Sequence, residues 1–151
     1  MRKDFGSKPW FYPMPVLVIG TYGADGKPDA MTAAWGGLYG ADMVELCLSA
    51  GHKTYGNIKE RGAFTVSFAD RAHLREADYL GLVSAHDEPD KLGKAGLTAV
   101  KSAFVDAPVI AELPVALECE LAKFTDDGNV IGRVVNVSAD ESVLAPDGKP
   151  E

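Results

Sequence analysis

The sequence predicts a mainly β protein, an antiparallel barrel with short helices between its strands. Six runs have the length and apolar pattern of strands. The 16 glycines and 9 prolines are spread along the chain, which favours many turns. Helical patterns are present, but they are too short to build a bundle. A chain of 151 residues with 46% apolar content is long enough to bury a core, and it reads as one domain over 1–151.

Residues 1–15 are rich in proline and aromatic residues, a composition suited to an extended lead-in. The run 16–22 is β-branched without a polar face, the pattern of a fully buried strand. Gly23-Ala24-Asp25-Gly26-Lys27-Pro28 carries hairpin chemistry and should return the chain through a second strand at 29–35. In 43–49, Val44, Leu46 and Leu48 alternate with Glu45 and Ser49, which predicts a half-buried strand. Thr54 is placed to cap a short helix that runs to Arg61 and stops at Gly62.

A fourth strand is expected at 63–68, a helix within 70–84 and a shorter helix at 90–95. The stretch from Pro108 to Pro114 reads as irregular. Strands at 115–124 and 130–137 should form a hairpin through Thr125-Asp126-Asp127-Gly128-Asn129. The tail from Asp140 to Glu151 is polar and ends on turn residues.

Fifteen basic against 22 acidic residues give a net charge of −7, which disfavours nucleic acid and anionic membranes as partners. No apolar run approaches the length of a membrane span, and the N-terminus lacks a signal-peptide pattern, so a cytoplasmic location is expected. Cys47 and Cys119 lie in separate apolar runs without metal-type spacing and read as reduced, packed thiols. The histidines are scattered, so no metal site is expected. Glu118 and Glu120 share one strand face and read as solvated.

Two segments carry candidate chemistry. Ser49-Ala50-Gly51-His52-Lys53-Thr54 sits between a strand and a helix start, where unpaired N–H groups, a lysine and two hydroxyls suit an anion such as phosphate. A capped helix beside a solvated lysine would use the same residues. In 29–37, small residues would admit a flat ring or a close backbone, and Trp35 offers an aromatic wall; a core anchor packed under a helix fits equally. No nucleophile with its base and no catalytic group is evident.

Eight pieces in order resemble the flavin reductase-like family, of the flavoredoxin type. They are Pro-Val-Leu-Val-Ile-Gly-Thr at 15–21, Gly-Lys-Pro-Asp-Ala-Met-Thr-Ala-Ala-Trp at 26–35, His-Lys-Thr-Tyr-Gly-Asn-Ile at 52–58 and Phe-Thr-Val-Ser at 64–67. Asp-Tyr-Leu-Gly at 78–81, Asp-Lys-Leu at 90–92, Ala-Pro-Val-Ile at 107–110 and Leu-Glu-Cys-Glu-Leu at 117–121 complete the series. The resemblance implies an FMN-binding split β-barrel, antiparallel and of Greek-key type, that forms a homodimer with the flavin near its interface. It implies a redox enzyme that takes electrons from NADH, NADPH or a redox-protein donor. An electron carrier without nicotinamide activity and a flavin- or heme-binding module are the alternatives.

Carried over by position, the resemblance puts Met31, Thr32, Ala33, Ala34 and Trp35 along the flavin ring and ribityl chain. Ser49, Lys53 and Thr54 would hold the phosphate, with His52 and Asn57 beside it, and Asp78, Tyr79, Leu80 and Gly81 would approach the ring from the other side. Position 29 is Asp where the family often has Asn, and an acid there would disfavour a reduced flavin anion, so Asp29 is set apart from the binding residues. Family members usually continue past the Asp-Gly-Lys-Pro turn, so a C-terminal segment of the family is expected to be missing.

Overall fold

The computed structural model describes residues 1–149. Its centre is a seven-stranded sheet in the order β2-β1-β5-β8-β9-β4-β3. The strands are β1 (Leu17–Tyr22), β2 (Pro28–Ala33), β3 (Gly36–Gly40), β4 (Met43–Leu46), β5 (Ala63–Phe68), β8 (Val115–Phe124) and β9 (Val130–Ala139). Every pairing in it is antiparallel. β2 and β3 lie at opposite edges of the sheet, yet only Ala34 and Trp35 separate them in the chain. Two residues reach on the order of 10 Å, so the sheet has to curl until its edges nearly meet. That makes it a half-closed barrel.

β1 has no polar face and is buried on both sides, as its pattern predicts. Leu17 and Ile19 join one core with Leu46, Phe64, Val66 and Val130, whereas Val18 joins a second with Ala77, Leu80, Leu92 and Ile110. The second core exists because α2 (Leu74–Leu82) and α3 (Lys91–Lys94) cover the outer face of β1 and β2. α1 (Lys53–Arg61) ends at Gly62, whose φ of 67° is the left-handed conformation that favours glycine there. The 115–124 and 130–139 strands form the expected hairpin, with Gly128 at φ 86° in its turn.

Several expectations are corrected. β3 and the two-stranded sheet of β6 (Ala99–Lys101) and β7 (Pro108–Ile110) add strands to the expected six. β6 and β7 have three residues each, too few for periodicity to register, so 108–114 is not wholly irregular. This small sheet lies against the main one: Thr65 Oγ1 donates to the Pro108 carbonyl at 2.6 Å. A Cβ on Gly20 would come within 2.6 Å of that carbonyl oxygen.

The cap of α1 is also different. His52 occupies the cap position without a side-chain bond, and Thr54 is the second helical residue. Cys47 is exposed rather than packed, because Val44, Leu46 and Leu48 take the inward positions and leave 47 facing out. Glu118 is buried rather than solvated: the chain around Ser102 covers it, and it accepts from Asn136 at 2.7 Å and from the Ser102 hydroxyl. Of the tail, Glu141–Val143 forms one 3₁₀ turn, while 150–151 lie outside the described residues. Among the described residues no helix is long and apolar enough to cross a membrane.

Candidate functional site

The first turn of α1 opens on a cleft of about 170 Å³. Helix geometry leaves the leading N–H groups without intrahelical partners. Among the described residues no capping side chain takes one, and no acidic residue sits in the first turn to meet the positive end of the dipole. His52 and Lys53 stand at this start and line the cleft. Ser49, just before them, is exposed; its carbonyl accepts from His52 N at 3.0 Å, which turns the chain into the helix.

The floor comes from β2, whose alternation sends Asp29 and Met31 to the cleft. Thr54 joins them, although its hydroxyl donates to Asp29 Oδ2 at 3.0 Å. A hydroxyl has a single proton, so in this arrangement Thr54 serves an anion through its backbone rather than its side chain. The far wall is the end of α2 and the chain beyond it, Leu80 to Ala85. Gly81 allows this helix to lie close on β2, since a Cβ there would stand 3.3 Å from Thr32 Cβ.

Lys91, from α3, closes the wall. It is 3% exposed, and its ammonium donates to the carbonyls of Leu80 at 3.2 Å and Val83 at 2.9 Å. A cation at the C-terminal end of a helix is favourably placed. It also lies 3.7 Å from Asp29 Oδ1. Burial pulls the Lys91 pKa below the usual lysine value, and the Asp29 charge works against that fall.

The structure therefore brings Met31, His52, Lys53, Thr54, Leu80 and Gly81 to one cleft. Trp35 is 55% exposed and lines a different hollow, of about 310 Å³, with Phe11, Met14, Pro15 and Cys47. Asn57 points inward and donates to Thr21 Oγ1 at 3.0 Å. Thr32 donates to the Ala77 carbonyl, Ala33 is buried, Ala34 and Asp78 are exposed, and Tyr79 is half-buried; none lines the cleft.

Sequence reasoning set Asp29 aside and passed over Lys91, although 90–92 was one of the matching pieces. Their pairing joins positions far apart in the chain, so no local spacing announces it. Among the described residues, no group of three or more His, Cys, Asp or Glu is placed to hold a metal.

The chain is similar to several known proteins. The flavoredoxin of Desulfovibrio vulgaris (Miyazaki F) superposes with a TM-score of 0.96 at 40% identity, over 100% of this chain and 83% of that one. A flavoredoxin from Methanosarcina acetivorans gives 0.88 at 25% identity, over 100% and 81%. An uncharacterized protein of Aeropyrum pernix is 31% identical over 121 residues, 78% of this chain, and this chain spans 45% of that protein's length. The family model described as a flavin reductase like domain matches residues 10–148. The curled antiparallel sheet, the order of the matching pieces and this coverage agree: the chain belongs to the flavin reductase-like family.

Proposed function

We propose that the protein binds FMN in the cleft between α1, β2 and the end of α2, and passes electrons through it. The observation that carries this reading is the meeting of an uncapped helix start bearing Lys53 and His52 with the apolar wall of Met31 and Leu80. One end suits a phosphate; the other suits a ring. The residues fit the cofactor: Lys53, His52 and the first backbone N–H groups of α1 would hold its phosphate, with Ser49 exposed just outside the cleft. When bound, a flavin supplies the two-electron chemistry, and the protein supplies orientation and electrostatics. Lys53 and the helix dipole neutralise the anion, the hydroxyl of Thr54 fixes Asp29, and Lys91 holds the α2 wall in place.

A cleft of about 170 Å³ is smaller than the roughly 300 Å³ at the lower end of ligand pockets. A second copy of the chain covering the remainder belongs to the same proposal, as does a cytoplasmic location. Support for a dimer comes from the solvent-facing Trp35, Leu38 and Phe68, beside an almost wholly apolar hollow between Leu17, Leu38, Phe68 and Leu117.

A flavin spectrum in the protein as purified, or quenching of FMN fluorescence on titration, tests the reading; the absence of both signals would overturn it. Lys53→Ala is expected to weaken FMN roughly ten- to a hundredfold, the worth of a charge-assisted hydrogen bond of ~1.5–3 kcal/mol. The similarity to a flavoredoxin over the whole of this chain favours a second reading, a carrier with no nicotinamide activity of its own. Rapid mixing with NADH or NADPH separates them: bleaching of the bound flavin supports the enzyme, and its absence supports the carrier.

A further inference from the structure

The chain's own hydrogen bonds leave one charged pair in the cleft wall incomplete. Asp29 is 3% exposed, and its Oδ2 accepts from Thr54. Its Oδ1 has no hydrogen-bond partner among the described residues. Lys91 Nζ, 3.7 Å away, is too far for a hydrogen bond but close for a charge. Two of the three ammonium protons are committed to the Leu80 and Val83 carbonyls. Carboxylate and ammonium are thus held by different elements, β2 and α3, and both face the same cleft. Each ion offsets the other's burial, and Lys91 keeps its two carbonyl partners whatever stands at position 29.

We infer that Asp29 is the charge-compensating residue of this cleft, cancelling Lys91 so that a bound flavin meets a nearly neutral wall. This rests on the FMN reading and deepens it. A flavin becomes more negative as it takes up electrons, so an uncompensated Lys91 would favour the reduced cofactor. Asp29 removes that preference through Lys91, and so is a positioning residue rather than a catalytic one. Lys53 and His52 also face the cleft, and they are untouched by a change at position 29.

The test compares the wild-type chain with Asp29→Asn, which keeps the shape and removes the charge. The midpoint potential of bound FMN, set against that of free FMN, gives the ratio of affinities for the reduced and oxidised forms. In Asp29→Asn this ratio is expected to rise at least tenfold, equal to about 30 mV for a two-electron couple. Asp29→Ser removes the same charge in a smaller side chain and must move the ratio in the same direction, which keeps the test open if one variant does not fold. The double variant Asp29→Asn/Lys91→Met is expected to return towards the wild-type ratio.

A readout free of flavin accompanies these: the titration of Lys91 Nζ by NMR in the cofactor-free chain, expected at lower pH in Asp29→Asn than in wild type. A ratio within threefold of wild type in flavin-loaded Asp29→Asn, or an unshifted Lys91 titration, overturns the inference and leaves FMN binding intact. Failure of the wild-type chain to bind FMN overturns the functional reading instead, while the lysine titration still reports on the pair.

Discussion

Lys91 carries a charge into a place almost closed to water, and two helix carbonyls and one carboxylate are what keep it there. Lys91→Met leaves the Asp29 carboxylate buried with only the Thr54 hydroxyl, and is expected to lower stability by about 3 kcal/mol in urea unfolding. Cys119 shows the converse for a neutral group. Burial among Phe64 and Val66 pushes its thiol pKa up to about 12, with the Glu118 charge adding to the shift. Its folded pKa is therefore above its unfolded one, so its contribution is full below the unfolded value and is lost as pH rises towards 12. Unfolding at pH 8 and pH 10 should show a decline that is smaller in Cys119→Ala. Thiol reagents should modify exposed Cys47 in the native chain and reach Cys119 only after unfolding.

At the scale of elements, legibility followed pattern length. Ala63–Phe68 and Val115–Phe124 were readable to the residue because alternation and flanking turns agree over a whole strand. The end of α1 at Gly62 was equally plain, since a glycine after a lysine- and arginine-bearing last turn is a stop with a backbone reason. β3 was not legible: its Gly-Gly-Leu-Tyr-Gly has little strand propensity and holds its place by pairing with β4. The site divides in the same way. His52 and Lys53 announce themselves by lying at a helix start, whereas the role of Lys91 depends on α2 ending beside it. Gly20 marks where the β6–β7 sheet presses on the barrel, and Gly20→Ala is expected to destabilise by about 1–3 kcal/mol because a backbone carbonyl blocks the new methyl. A thermal melt against wild type would measure it.

Across the whole molecule, large apolar side chains remain in solvent along the lead-in and around the β3 edge: Trp10, Phe11, Tyr12, Trp35, Leu38 and Phe68. A chain with a charge of −7 does not need such a face for solubility, and a second copy is the occupant proposed above. Leu38→Glu should shift light-scattering mass from dimer to monomer and leave the cleft of each chain unaltered in sequence. The two-residue corner at Ala34 and Trp35 then acquires a thermodynamic meaning. It makes the strand that floors the cleft and the strand that fronts the apolar edge one continuous piece of backbone. Ligand capture and self-association would be linked equilibria, each strengthening the other by the same factor. Flavin retention should accordingly fall as the protein is diluted through its association range, and saturating FMN should hold the pair together at concentrations where the empty chains separate.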